Sequence, residues 1–494
     1  MNTTSENAFL ALDLGAESGR GVLVRLSEGR ASMEEIHRWP NRPVRLAGTL
    51  YWDLPFLYAE VAEAIARCAA AGIAPAGISV DTWGVDFGLL DGRGALLGNP
   101  VHYRDGRTEN IHDYADPIMS RQAVFAATAY EPWAISSLYQ LLSMQRDGWP
   151  QLAEAARFLN MADLLHYFLT GEAVNERSAV NTGNLLSTDG GWAEDVIEGF
   201  SLRREMFGRL VEPASVVGPL LEAVAEATGM GPEVPVIATC GHDTSAVAAA
   251  VPASGDNWAF ISCGTWSILG ALIDAPATTA RCLELGFTNQ YTMGGWYIAR
   301  NISGLWLVQE LRRKWNTPDD PWDYERLTAE ARAAEALALV DAAAPTLMAP
   351  ADMEQALREL ITASGQPDPA TRGQLVRCVL ESLALEYAVR LDSLAELTGR
   401  RAEAVFMVGG GIHNTLLCQL TADACGLDVH AGADQCTAMG NALGQALAVG
   451  VLDSPQAIRQ VMRQSFDLTT YEPTDEAQWA RKRARYQEVR AADG

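Results

Sequence analysis

The sequence predicts an α/β protein made of two related halves, and three observations carry that prediction. Short apolar runs of strand character alternate with helix-forming stretches, the pattern of layered α/β folds. A strand entering a glycine turn occurs twice, as Phe9-Leu10-Ala11-Leu12-Asp13-Leu14-Gly15-Ala16-Glu17-Ser18 and as Trp258-Ala259-Phe260-Ile261-Ser262-Cys263-Gly264-Thr265-Trp266-Ser267. Placing Gly264 on Gly15 gives an offset of 249, about half of the 494 residues, and brings Ser267 onto Ser18, Gly270 onto Gly21 and Leu272 onto Leu23. Both segments read as β-hairpins of a duplicated fold. Third, Pro252-Ala253-Ser254-Gly255 breaks the pattern just before the second hairpin, which predicts domains 1–253 and 254–494.

The remaining elements follow in order. Residues 78–80 read as a buried strand, followed by Asp81-Thr82-Trp83-Gly84 and an apolar run over 85–90. Residues 236–239 form another strand, ending at Cys240-Gly241-His242-Asp243, and 244–251 have helical composition. Residues 316–372, rich in Ala and Pro, read as an elaboration of the second half. Over 375–394 the apolar positions keep the three-to-four spacing of an amphipathic helix, with Gly399 as its stop. The strand 404–408 runs into Gly409-Gly410-Gly411; Asn414 is placed to cap the next helix and Gly426 to end it.

Composition excludes several function classes. With 37 Lys+Arg against 62 Asp+Glu the net charge is −25, which repels nucleic acid and anionic lipid unless a local basic patch offsets it. The run Arg481-Lys482-Arg483-Ala484-Arg485 reads as a solvated helix face instead. Eight scattered cysteines without a C-x-x-C pair point to buried, reduced thiols, and the seven histidines include no H-E-x-x-H. The N-terminus lacks the basic and apolar regions of a signal peptide. The longest apolar stretch, near 234–251, is interrupted by His242 and Asp243. The expectation is a soluble, cytoplasmic protein that acts on small molecules, with neither nucleic-acid nor membrane partners.

Glycine turns suit phosphate because backbone N–H groups can close around an anion. Two related turns, one per half, point to ATP, although neither is a G-x-x-x-x-G-K-[ST] loop nor a dinucleotide fingerprint. Asp13 lies where the first strand ends. A carboxylate beside phosphates calls for a cation between them, so Asp13 is either a Mg²⁺ residue acting through water or a turn aspartate bonding its own backbone. The three glycines 409–411 allow a flat base and ribose to lie against backbone, or simply turn the chain. Asp243, between a strand and a helix, reads as a helix N-cap and as a general base, two compatible roles. His242 is either a core histidine or a substrate contact.

Leu12-Asp13-Leu14-Gly15, Ser262-Cys263-Gly264-Thr265 and Val408-Gly409-Gly410-Gly411 together resemble the nucleotide site of sugar kinases with the actin-like ATPase, or ribonuclease H-like, fold. Within that superfamily the chain resembles the FGGY carbohydrate kinases from about residue 8 to 450. The segments that carry this are DLGAESGR (13–20), YWDL (51–54), VDTWGVDFGLLD (80–91), YRDGRT (103–108), SLYQL (137–141), GHDTSAV (241–247), SCGTWS (262–267), NISGLWLVQE (301–310) and GGGIHNTLLCQLTADACG (409–426). The resemblance implies two domains around an active-site cleft and transfer of phosphate from Mg-ATP to a ketose. L-rhamnulose, giving its 1-phosphate in rhamnose catabolism, is favoured over L-fuculose. It matches Asp243 to the family's base and His242, Thr244, Gly84 and Asn301 to sugar contacts. It matches Ala16, Glu17, Ser18, Gly19, Arg20, Thr265, Gln309 and Gly410 to ATP contacts.

Two positions depart from that pattern. Glu17 stands where many relatives carry Ser or Thr, and a carboxylate there is expected to point away from phosphate or to meet a cation or base. Trp133-Ala134-Ile135-Ser136-Ser137 differs from the Asn-Thr that often precedes this segment, which bears on sugar choice. Outside the kinase class, an actin- or Hsp70-like ATPase and a sugar-responsive regulator remain alternatives. Asp243 beside the expected sugar contacts Gly84 and Asn301 argues against the first, and the lack of a helix-turn-helix or basic patch argues against the second.

Overall fold

Two sheets with one plan organise the chain in the computed structural model, which describes residues 7–493. The leaderless N-terminus expected from the sequence lies outside those residues except for Asn7. The first sheet runs in the order Ser215–Pro219, Pro235–Ala238, Ile78–Thr82, Asn7–Leu14, Ser18–Ser27, Arg30–Pro40. Asn7–Leu14 pairs parallel with Ile78–Thr82 and antiparallel with Ser18–Ser27. Residues 9–14 are all buried, as a central strand covered on both faces requires. The second sheet runs Thr288–Thr292, Gly295–Ser303, Trp266–Ile273, Trp258–Cys263, Ala404–Val408, Asp428–Ala431, Thr469–Tyr471. Read from its Thr469–Tyr471 edge it repeats the first: an antiparallel edge, two parallel neighbours, then the hairpin. The duplication read from the two glycine turns is therefore present in the strand order.

The turns themselves differ by one residue. Leu14 pairs with Gly19 in the first hairpin and Cys263 with Ser267 in the second. The offset is thus 249 before the turn (Leu14 to Cys263) and 248 after it (Gly19 to Ser267). Ser267, Gly270 and Leu272 correspond to Gly19, Val22 and Val24, so the expected matches to Ser18, Gly21 and Leu23 are corrected. The cause is local: the first tip holds Ala16 and Glu17, the second Thr265 alone, as the bonds Gly15 N to Ser18 O and Gly264 N to Trp266 O show. A one-residue slip exchanges the faces of a strand.

The chain forms two compact units, each assembled from three segments. The first comprises 1–252, 272–298 and 436–465; the second comprises 253–271, 299–435 and 466–494. A first crossing falls at Pro252, beside the boundary expected at 253/254, and the chain then returns twice. Polar contacts explain one return. In the helix Cys436–Ala448, the Gln445 side chain donates to the Leu10 carbonyl at 3.0 Å, and Asn441 donates to Asp81 Oδ2 at 2.6 Å.

Local chemistry accounts for the helices near the site. Asp243–Ala250 begins directly after Gly241-His242, and its small residues are buried from Ser245 to Ala250. In the second unit, Arg372–Thr398 starts in a capping box between Thr371 and Gln374 and stops at left-handed Gly399. Asn414 accepts from Leu417 N at 3.0 Å to cap Thr415–Cys425, which ends at left-handed Gly426. All eight cysteines are free and seven are buried. No described helix is long and apolar enough to cross a membrane.

Candidate active site

In the first unit, strand ends gather acidic groups. Asp13 and Asp81 are partners in the parallel register, so their side chains leave adjacent strands on the same face. Asp13 Oδ2 accepts from Arg20 Nε at 3.0 Å and Nη2 at 2.7 Å. Burial raises the Asp13 carboxyl, the Arg20 charge opposes that, and Asp243 adds to the rise. Burial raises Asp81 further still, with the charge of Asp13 as the next cause. Asp81 Oδ1 is buried without a hydrogen-bond partner. Asp81 drew no attention in the sequence, because its apposition to Asp13 depends on register across 68 positions.

Asp243 is the first residue of its helix, and His242, not Asp243, occupies the N-cap position. Asp243 Oδ1 accepts from Thr244 N at 2.5 Å and Thr244 Oγ1 at 3.0 Å, which orients the carboxylate. Its side chain keeps 32% exposure, enough to meet a ligand. His242 Nε2 lies 3.4 Å from Asp243 Oδ1. Burial holds the His242 imidazole below its usual pKa, so the ring is neutral and acts as a hydrogen-bonding group. Behind it, Ser245, Tyr297 and Gln290 continue the network at 3.4, 3.3 and 2.7 Å.

Gly84 sits against this pair. Its φ is +74°, and a Cβ there would lie 3.0 Å from His242 Cδ2 and from Thr182 Oγ1, so conformation and space both call for glycine. The next residue, Val85, donates its N–H to Thr182 Oγ1 at 2.9 Å, and its carbonyl accepts from Ser137 Oγ at 2.5 Å. The segment that departs from the family pattern at 133–137 therefore packs on the Gly84 turn. Asp86 anchors the other side of that turn, accepting from Trp52 Nε1 at 2.6 Å, Trp83 Nε1 at 2.9 Å, Tyr103 N at 3.2 Å and Gln140 Nε2 at 2.9 Å. Trp83 stacks on Trp52 with ring centroids 3.9 Å apart.

Gly84, His242, Asp243 and Thr244 are thus brought together in the first unit. Asn301 is exposed on Gly295–Ser303 and belongs to the second unit. Of the expected nucleotide residues, Ala16 to Arg20 form the first hairpin's tip and return strand. Glu17 is exposed there, and its carbonyl accepts from Asn41 N at 2.9 Å.

The second unit contains a cavity of about 800 Å³ whose lining includes Thr265, Gln309 and Gly410. The three glycines divide their work. A Cβ on Gly409 would meet Cys263 O at 2.9 Å and one on Gly411 would meet Cys263 Sγ at 2.2 Å, so these two let the strands close. A Cβ on Gly410 would meet nothing within 4 Å, so this residue faces open space. The helix Tyr324–Ala333 also lines the cavity, through Tyr324, Leu327, Thr328 and Arg332. It lies in the stretch read only as an elaboration; its alternation gave no hint of a ligand. A cavity of this size lined by Leu305, Val308, Leu327 and Val376 together with Thr265, Gln309 and Asn414 suits a mononucleotide.

Among the described residues no three His, Cys, Asp or Glu side chains stand together so as to hold a metal ion. Asp13 with the unpartnered Asp81 oxygen fits a hydrated cation carried in with phosphates, not a protein-caged one.

The duplicated sheets, one with carboxylates gathered at its strand ends and the other beside a cavity of about 800 Å³, are those of a two-domain sugar-kinase fold. The chain belongs to the FGGY family of carbohydrate kinases: the model of its N-terminal domain matches residues 8–250 and that of its C-terminal domain residues 259–449. The chain is 40% identical over 474 residues to a rhamnulokinase of Bacteroides thetaiotaomicron, covering 95% of this chain and 97% of that one. It is 34% identical to a rhamnulokinase of Enterococcus faecalis, covering 94% of each. Among solved structures it resembles a gluconate kinase from Lactobacillus acidophilus (TM-score 0.82, 16% identity, 99% and 98% coverage). It also resembles a Plasmodium falciparum glycerol kinase with ADP (TM-score 0.80, 14% identity, 98% and 97% coverage). At such identities the likeness is one of fold. The protein is a sugar kinase, and ATP is the substrate this class implies.

Proposed function

We propose that the protein transfers the γ-phosphoryl group of ATP to the 1-hydroxyl of L-rhamnulose, with Asp243 as general base. The observation that carries the chemistry is the Asp243 carboxylate, oriented by Thr244 yet exposed beside the Gly84 turn. A sugar hydroxyl is a weak nucleophile at neutral pH, and a fixed carboxylate takes its proton as the attack develops. Neutral His242 and Thr244 offer hydrogen bonds to sugar hydroxyls, and Asn301 is a further contact. The rhamnulokinases among the relatives, at 31–40% identity, support the choice of sugar.

On the nucleotide side, Thr265, Gln309 and Gly410 would hold the adenosine and phosphates, with Ala16 to Arg20 supplying backbone N–H groups. Asp13 would hold Mg²⁺ through water, and the ion when bound neutralises phosphate charge. The two family-type domains, 1–253 and 254–494 in outline, divide these tasks. An ADP-release assay over L-rhamnulose, L-fuculose, L-xylulose, D-xylulose and glycerol tests the reading. The expected order puts L-rhamnulose first; a preference for another sugar overturns the substrate, and sugar-independent turnover overturns the kinase assignment.

A further inference from the structure

A buried carboxylate outside the proposed machinery ties together the two turns that form the acceptor side. Glu176 is fully buried and ends the strand Val174–Glu176. Its Oε1 accepts from Ser178 N at 2.7 Å. Its Oε2 accepts from Ser178 Oγ at 2.6 Å, Ala179 N at 3.1 Å and Gly241 N at 2.8 Å. The two bonds from Ser178 N and Ala179 N cap the helix Arg177–Thr182. The Gly241 bond crosses 65 positions to the residue just before His242-Asp243, and Ser178 Oγ also accepts from His242 N at 3.4 Å. At the far end of the same short helix, Thr182 holds Val85 N and abuts Gly84.

We propose that Glu176 is a positioning residue that sets the His242-Asp243 turn against the Gly84-Val85 turn for phosphoryl transfer. The proposal rests on Asp243 being the base. All four donors on Glu176 are N–H or O–H groups, and three of them are backbone groups that cannot turn away. An ionised carboxylate satisfies them; an amide places a hydrogen against at least one, and a protonated acid gives up one acceptor position and must reverse the Ser178 hydroxyl. The displacement is then passed to Gly241 and to the reacting carboxylate, where an error of about 1 Å costs on the order of 100-fold in rate.

The surroundings make this grip sensitive to pH. Burial raises the Glu176 carboxyl to about 7 even though its hydrogen bonds oppose the shift. Facing it, Asp163 accepts Glu176's own N–H at 3.1 Å and is itself raised well above its ordinary value by burial and by Glu176. The Cys240 thiol is raised by burial and then by the Glu176 charge, which keeps it neutral. Arg177, next in sequence, forms its ion pair with Glu212. His242 is neutral. Ionisation of Glu176 therefore lacks a paired cation, and kcat is expected to rise with pH through about 7. Stability moves the other way. A raised carboxyl pKa contributes stability below the unfolded value and loses it as pH rises through the folded one. A purely structural role would give that stability trend without an acid limb in kcat.

The test measures kcat, both KM values, ADP affinity and melting from pH 5.5 to 9 for wild type, Glu176→Gln, Glu176→Asp, Ser178→Ala and Asp243→Asn. Expected for Glu176→Gln is a 30- to 100-fold lower kcat (on the order set by misplacement of the base), ADP affinity within twofold, and no acid limb near pH 7. Glu176→Asp recovers part of the rate, and Ser178→Ala loses a few-fold. Wild-type kcat with an unchanged acid limb in Glu176→Gln, while Asp243→Asn is dead, overturns the positioning role alone. An active Asp243→Asn enzyme overturns the base assignment and this proposal with it. If Glu176→Gln does not fold, a wild-type profile flat through pH 7 together with full activity in Ser178→Ala overturns the proposal.

Discussion

Two buried glutamates of the second unit and two buried carboxylates of the first are held by opposite kinds of donor. On the long helix Arg372–Thr398 of the second unit, Glu381 meets Arg377 at 2.7 Å and Lys482 at 2.6 Å. Glu386 meets Arg390 at 2.5 Å, Arg490 at 3.5 Å and the Tyr486 hydroxyl at 3.0 Å. In the first unit, Asp86 and Glu176 are met by indole, amide, hydroxyl and backbone donors. Cations fix a charge in place. Neutral donors orient a carboxylate without pairing its charge, so burial lifts Asp86 to about 6, against the pull of its donors and of Arg107, and Glu176 to about 7. The second unit lines its cavity with glycines and a helix and sets Glu381 and Glu386 in ion pairs. The first places oriented, pH-sensitive acids beside the proposed sugar site.

Substitutions sharpen this contrast. The largest effect is expected for Asp243→Asn, with kcat down about 10⁴-fold and ADP affinity, read by calorimetry, nearly unchanged. Retained turnover would place the base elsewhere. Next comes Glu386→Gln in the second unit, which strands the buried Arg390 charge. Chemical unfolding should show a loss of about 3 kcal/mol while kcat holds; a change in kcat without a stability loss would blur the division between the units. Smallest is Asp86→Asn, which sets an amide NH₂ against either the Gln140 amide or the indole and Tyr103 donors. Urea melts should register about 2 kcal/mol, with the ketose KM raised more than the ATP KM. Because the Asp86 pKa is raised in the folded state, its contribution to stability is full below the ordinary aspartate value and fades as pH rises through about 6. The variant should lack that part of the slope between pH 4 and 7.

Much of this was legible in the primary structure, for reasons that are local. Asp243 lies on a strand-to-helix step, and Gly399, Asn414 and Gly426 act within one helical turn of their own positions. Thr265, Gln309 and Gly410 sit in short segments with a recognisable pattern and do line one cavity. What escaped depends on partners far apart in the chain. The hairpin coincidences past Gly264 failed because loop length, not residue identity, sets register. The helix Tyr324–Ala333 became a cavity wall only through packing.

The sequence by itself determined that there are two related α/β halves, each with a glycine hairpin. Those are properties of periodicity and of backbone freedom, read within ten residues. Only the tertiary structure decided that Asp81 stands beside Asp13, that Glu176 grips Gly241, and that 436–465 belongs with the first unit. Register and burial govern those outcomes, because a carboxylate's role follows from the donors and the solvent around it, and folding alone assembles both.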